Sequence, residues 1–192
     1  YAASPATVAR GSPPLATDAS LRAEVAPARQ PPRLTEVALK PTKAWPGMQI
    51  IERYSGVLEI HSPEQAETRA AGAAILDAIG LAEEDRIKPR LLSSQIIRRI
   101  DDHHAQLVNR DRHGHMIIPG QTLYVLECEP AVYSALAANE AEKAADIAIL
   151  EVRSFGSMGR MYLAGEERDI DVGWRAAVAA LEGVAGREPA KK

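Results

Sequence analysis

The feature that most constrains this chain is that it matches itself. Gly11 matches Gly114, Glu24 matches Glu127, Pro27 matches Pro130 and Lys40 matches Lys143, each 103 residues apart. Ala73 and Gly80 match Ala176 and Gly183 at the same spacing. Between these blocks, Arg53 and Gly56 pair with Arg153 and Gly156 at a spacing of 100. That drift reads as a first copy that is longer around Pro46-Gly47, with the difference recovered near Met158-Gly159-Arg160. Duplication fixes the organisation before any motif is read. The 192 residues become two domains of one fold, over 1–85 and 86–186, and a polar tail over 187–192.

Composition allows two small cores. Hydrophobic residues make up 46% of the chain and charged residues 26%, which excludes wholesale disorder. Aromatics are only 4%, so helices must pack through small side chains, chiefly alanine. A net charge of −3 gives no general attraction for nucleic acid or an anionic membrane. No apolar run reaches the roughly 20 residues needed to span a bilayer. The single cysteine, Cys128, rules out an intrachain disulfide and suits a reducing compartment.

Each copy reads as mixed α/β. In the second, Gln121–Cys128 alternates like a strand, and Glu129-Pro130 opens a helix running to Lys143. Ile147–Arg153 and Gly159–Leu163 form an antiparallel pair, and Asp169–Leu181 an alanine-rich amphipathic helix. In the first copy, Gln49–Arg53 and Val57–Ile60 form the equivalent hairpin. Ser62 then caps a helix that has Pro63 at its first position and runs to Ile79. Pro31-Pro32 falls where the second copy has continuous helix, so the first helix starts no earlier than Pro32 or Arg33. Leu91–Ile100 reads equally well as helix or strand. Arg22 is polar where the second copy carries Val125, so the opening strand of the first copy is poorly marked.

Catalytic chemistry finds no anchor. His103, His104, His113 and His115 cluster beside Asp101 and Asp102. However, the His-Gly-His turn has no Cys or Glu partner at ligand spacing, so a solvated polar hairpin is the better reading. Cys128 sits in an apolar strand as a small hydrophobe. The serines lack a nucleophile elbow, and the glycines of Phe155–Gly159 join two strands rather than a strand and a helix. What remains is the loop Glu52-Arg53-Tyr54-Ser55-Gly56 and its counterpart, in which Arg153, Ser154, Phe155 and Gly156 follow Glu151. Alone, each is an exposed turn. In a duplicated chain, equivalent loops are placed to meet at the axis of a closed ring.

Several segments carry a family resemblance: Leu34–Lys40, Gly47–Arg53, Ile75–Gly80, Asp102–Asn109, Pro119–Leu123, Ala137–Asp146, Val152–Arg160 and Leu163–Gly165. Together they resemble the bacterial microcompartment shell-protein superfamily, specifically the tandem-domain, circularly permuted trimeric shell proteins of carboxysomes, of the α-carboxysome gated type. The resemblance implies an α/β (α+β) fold of two permuted shell domains, the first without the family's opening strand. It implies a homotrimer shaped as a pseudohexamer, able to stack face to face and to tile with other carboxysome shell proteins in the cytoplasm. It also implies a gated pore for anionic metabolites such as bicarbonate and sugar phosphates. Glu52 and Arg53 would form the gate, with Tyr54, Ser55, Gly56, Arg153, Ser154, Phe155 and Gly156 lining it. Lys40 and Lys143 would lie at the tiling edge. No cofactor, metal, nucleic acid or membrane enters, and the chain is expected not to be an enzyme. A small-ligand-sensing regulatory trimer is the alternative, since duplicated α/β units build such rings too.

Overall fold

The computed structural model describes residues 7–189. The chain divides into two compact units, one reaching to Arg86 and including Phe155–Ser157, the other built from Ile87–Ser154 and from Met158 onward. The first holds β1 (Thr7–Arg10), β2 (Ala19–Val25), α1 (Pro31–Leu39), β3 (Trp45–Ile51), β4 (Gly56–Ser62) and α2 (Gln65–Ile79), with a 3-10 turn at Glu83–Asp85. The second holds β5 (Arg90–Ile97), α3 (Asp102–Asp111), β6 (Thr122–Glu129), α4 (Tyr133–Ala144), β7 (Ala148–Arg153), β8 (Gly159–Gly165) and α5 (Glu167–Glu182). Each unit has one antiparallel four-stranded sheet, ordered β1-β3-β4-β2 and β5-β6-β8-β7.

The two units repeat at a constant spacing of 103, and the drift to 100 is overturned. β-bulges fall between Pro46 and Met48 in β3 and between Ile149 and Glu151 in β7. Gly11 N–H donates to the Gly47 carbonyl as Gly114 N–H does to Leu150. Cis peptide bonds precede Pro27 and Pro130. Most tellingly, a Cβ on Gly56 would lie 2.5 Å from the Ala28 carbonyl oxygen, and one on Gly159 would lie 2.1 Å from that of Ala131. Gly56 is therefore the counterpart of Gly159, and the match with Gly156 was the coincidence of a recurring Arg-x-x-Gly.

Several boundaries move for local reasons. Both prolines of Pro31-Pro32 enter α1, at its first two positions, where no intrahelical N–H is needed. α4 begins only at Tyr133, because the turns Tyr133 N–H→Pro130 O and Ser134 N–H→Ala131 O come first. Ser62 does not cap α2. Its hydroxyl accepts the Glu64 N–H in a turn, and the helix starts at Gln65. The ambiguous segment is a strand, β5, paired with β6. The histidine segment is not a hairpin: His103 and His104 ride on α3, which Asp101 caps by accepting the His103 N–H. The tail is tied in as far as described, with Arg187 bridging Ile87 and accepting the Lys88 N–H; residues 190–192 lie outside the described residues.

Helices cover one face of each sheet. In the first unit, Leu34 and Ala38 of α1 and Ala71 and Ile75 of α2 pack on Leu58 and Ile60, with Leu21, Ala23 and Val25 of β2 alongside. β2 thus forms despite Arg22, because only its alternate residues need be apolar. In the second unit Ala137, Ala138 and Ala141 of α4 and Ile170, Ala177 and Leu181 of α5 pack on Tyr124, Leu126, Cys128, Met161 and Leu163. The opposite sheet faces differ. In the second unit Leu123, Leu150 and Ala164 join Ile100, Ala105 and Ile117 in another apolar cluster. The positions 103 earlier than Leu123, Leu150 and Ala164 are Ser20, Gly47 and His61, and that face mixes polar and charged side chains with the buried Ile50 and Val57.

Candidate functional site

The loop from β3 to β4 is tight. Glu52 N–H donates to the Ser55 carbonyl at 3.1 Å, so Glu52, Arg53, Tyr54 and Ser55 make the turn and Gly56 already pairs with Ile51. The Glu52 carboxylate folds back to accept the Arg53 N–H at 3.2 Å. Arg53 and Tyr54 are exposed at the tip. Among the described residues, no carboxylate lies within ion-pair reach of the Arg53 guanidinium. Ser55 donates its hydroxyl to Glu24 of β2 at 2.6 Å, fixing the base of the loop. Gly56 is required because Ala28 and the Pro31 ring occupy the space where a side chain would begin.

The corresponding loop of the second unit is built otherwise. Arg153 closes β7, and its Nε donates to Glu151, which also meets His113 Nδ1 at 3.5 Å. Ser154 is buried, Phe155 is half-buried, and Gly156 has φ +95°. The Arg153 carbonyl accepts the Ser134 hydroxyl at 3.0 Å. At a constant spacing of 103, the counterparts of Glu52-Arg53 are Phe155-Gly156, so the charged pair exists in one unit only. On β6, Glu127 grips Arg160, whose guanidinium is raised above its usual range chiefly by that hydrogen bond, with burial opposing. Glu24 and Glu127 are thus matched carboxylates with different partners: Glu24 holds Ser55 of the loop, and Glu127 holds Arg160 across the β6–β8 ladder. Their identity at a spacing of 103 was the visible signal; the roles of Glu151 and His113 left none.

The expected edge lysines sit elsewhere. Pro31 and Ser134, which abut the loop glycines, are nine residues before Lys40 and Lys143. At 1.5 Å per residue this puts each lysine about 14 Å along its helix from the loop. Lys40 is exposed and pairs with Glu36 at 3.7 Å. Lys143 pairs with Glu140 at 2.9 Å, and that hydrogen bond holds the Glu140 carboxyl below its ordinary range. Among the described residues no three His, Cys, Asp or Glu side chains converge as a metal would need, and no helix is long and apolar enough to cross a membrane.

Comparison with known proteins decides the family. The carboxysome shell protein CcmP of Synechococcus elongatus is 57% identical over 182 residues, covering 95% of this chain and 85% of that relative. This chain belongs to the carboxysome shell-protein family. The shell protein CsoS1D of Hydrogenovibrio crunogenus is 44% identical over 178 residues, 92% of this chain and 87% of that protein. The family profile for the CsoS1D N-terminal domain matches residues 1–85. Among solved structures, the double-ringed trimeric shell protein of the RMM microcompartment superposes with a TM-score of 0.91 at 40% identity, covering 94% of this chain and 90% of that one. The fused permuted hexameric shell protein of the same microcompartment gives 0.87 at 42%, covering 91% and 86%. The resemblance to tandem-domain trimeric carboxysome shell proteins read from the sequence is therefore correct, as is the tandem permuted fold. As a carboxysome shell protein, the chain is a structural component of that shell rather than an enzyme.

Proposed function

We propose that three copies of this shell protein close into a pseudohexameric ring whose central opening is gated by Glu52 and Arg53. The observation that carries the reading is the Arg53 guanidinium at an exposed hairpin tip, with no carboxylate among the described residues holding it. Threefold symmetry sets three such guanidiniums against one another. The cluster then has two states, arginines inward around a narrow positive constriction or swung out onto the neighbouring Glu52 carboxylates. Tyr54, Ser55 and Gly56, with Arg153, Ser154, Phe155 and Gly156, form the rim. An arginine-lined opening favours anions, which suits bicarbonate and sugar phosphates. The ring itself is supported by the trimeric relative, whose double ring also supports stacking of two trimers. Lys40 and Lys143, at the helix ends away from the loops, serve the contacts with neighbouring tiles.

Two measurements test this. Light scattering should give about 62 kDa, three times the chain mass of 20.7 kDa, or twice that for a stacked pair; a monomer refutes the ring. Shells reconstituted with Arg53→Ala should release a trapped anion faster than wild-type shells. Equal release places the barrier elsewhere.

A further inference from the structure

The proton arrangement at His61 follows from the turn it touches. The turn before β2 and the turn before β6 are the same structure. Leu15 N–H donates to Asp18 Oδ2 and Asp18 N–H to the Leu15 carbonyl, both at 3.0 Å. In the second unit Ile118 N–H donates to Gln121 Oε1 at 2.9 Å, and Gln121 N–H to the Ile118 carbonyl at 3.1 Å. A neutral amide therefore suffices to build this turn. The first unit uses a carboxylate, and faces it with His61 where the second unit has Ala164.

His61 Nδ1 lies 3.0 Å from Asp18 Oδ2 and Nε2 lies 2.8 Å from the Ser12 carbonyl oxygen, and the His61 and Asp18 side chains are each only 2% exposed. A carbonyl only accepts, so Nε2 carries a hydrogen. Nδ1 and a carboxylate at this distance, both shielded from water, repel unless one proton lies between them. Trp45 of β3 tilts over the ring at 5.9 Å. The other charged groups on this face are Arg10 of β1, Arg22 and Glu24 of β2 and Glu59 of β4; Arg22 and Glu59 pair with each other at 3.0 Å and Glu24 accepts the Ser55 hydroxyl, while α1 and α2 pack against the opposite face.

We propose that the first unit carries a proton-operated clasp. One proton between His61 and Asp18 holds the segment 12–18 against the sheet, and losing it leaves two buried lone pairs facing each other and releases the segment. The matching segment 115–121 begins with an exposed histidine, His115, but has no buried histidine–carboxylate pair, and stays closed. Leu15, 68% exposed at the turn, moves with the clasp. This inference stands apart from the pore reading.

The second unit supplies both the control and the repair. Hydrogen exchange of the Leu15 and Asp18 amides is followed relative to Ile118 and Gln121, from about pH 5 to about pH 10, a span that contains ordinary histidine titration. Where the closed segment keeps the proton and the open one has lost it, the ratio should rise about tenfold per pH unit, the slope of one released proton. A double variant, Asp18→Gln with His61→Ala, installs the second unit's residues and should flatten it. A ratio independent of pH in the wild type, or a pH dependence that persists in the double variant, overturns the proposal. Imidazole ¹⁵N shifts of wild-type His61 read the proton without any variant: they should move where the ratio stops rising, because there the closed form itself gives up the proton, and shifts that stay fixed through that plateau refute the clasp.

Discussion

Replacing Gly159 by alanine should be among the most damaging single-methyl additions in this chain. A Cβ there would sit 2.1 Å from the Ala131 carbonyl oxygen and 2.8 Å from Ser134 Oγ. Carbon and oxygen in contact stay about 3.3 Å apart, so roughly 1.2 Å of displacement is demanded of a backbone that also anchors the start of α4. Forced overpacking of this kind costs about 3 kcal/mol or more. Gly56→Ala meets the Ala28 carbonyl at 2.5 Å and the Pro31 ring at the same distance, so a loss of about 3 kcal/mol is expected again. Gly156→Ala has open space around it and only a left-handed backbone to oppose it, with φ +95°, which costs about 1–2 kcal/mol. Denaturant midpoints of the three variants, read at one fixed protein concentration because assembly is linked to folding, give the comparison. If Gly56→Ala groups with Gly156→Ala rather than with Gly159→Ala, the constant spacing of the two units is wrong.

Other outcomes follow from the same packing. Leu163→Ala, at a fully buried site, should lower stability by about 3 kcal/mol in a denaturation series. Burial pushes the Tyr124 phenol up to about 12, the hydrogen bond with Ser94 opposing. The unfolded chain then loses this proton first, so stability falls as pH rises from about 10 to about 12. That loss is roughly 2–3 kcal/mol, and Tyr124→Phe should remove it from alkaline unfolding curves. Lys143→Ala should let the Glu140 carboxyl climb back toward its ordinary range, visible by NMR titration. The Lys40→Ala, Lys143→Ala double variant should keep its native mass and lose two-dimensional sheets in electron micrographs; undiminished sheets would remove both lysines from the tiling edge.

Much of this was legible in residues alone. The segments with strict alternation or a clean apolar stripe, Gln121–Cys128 and Asp169–Leu181, became β6 and α5 with boundaries shifted by a residue or two. The Glu52–Gly56 loop was identified in place because charge and glycine at the end of an apolar strand leave few alternatives to an exposed turn. What escaped was information held in differences between the copies. Laying them at a constant 103 sets His61 on Ala164 and Asp18 on Gln121. A search for identities passes over such pairs, and accepting the drift to 100 hid the true partner of Gly56.

The duplication, the family and the helix-facing halves of both cores were settled by sequence, since apolar periodicity and repeated glycines are one-dimensional signals. Tertiary structure alone decided which glycine meets a carbonyl, which partner each matched carboxylate holds, and that one sheet closes its second face with Leu123, Leu150 and Ala164 while the other uses an ion pair and a buried histidine. The physical reason is one of range. Hydrophobic patterning acts between neighbours a few residues apart, whereas a hydrogen bond between residues 43 apart, such as His61 to Asp18, exists only once the sheet has brought them within 3 Å.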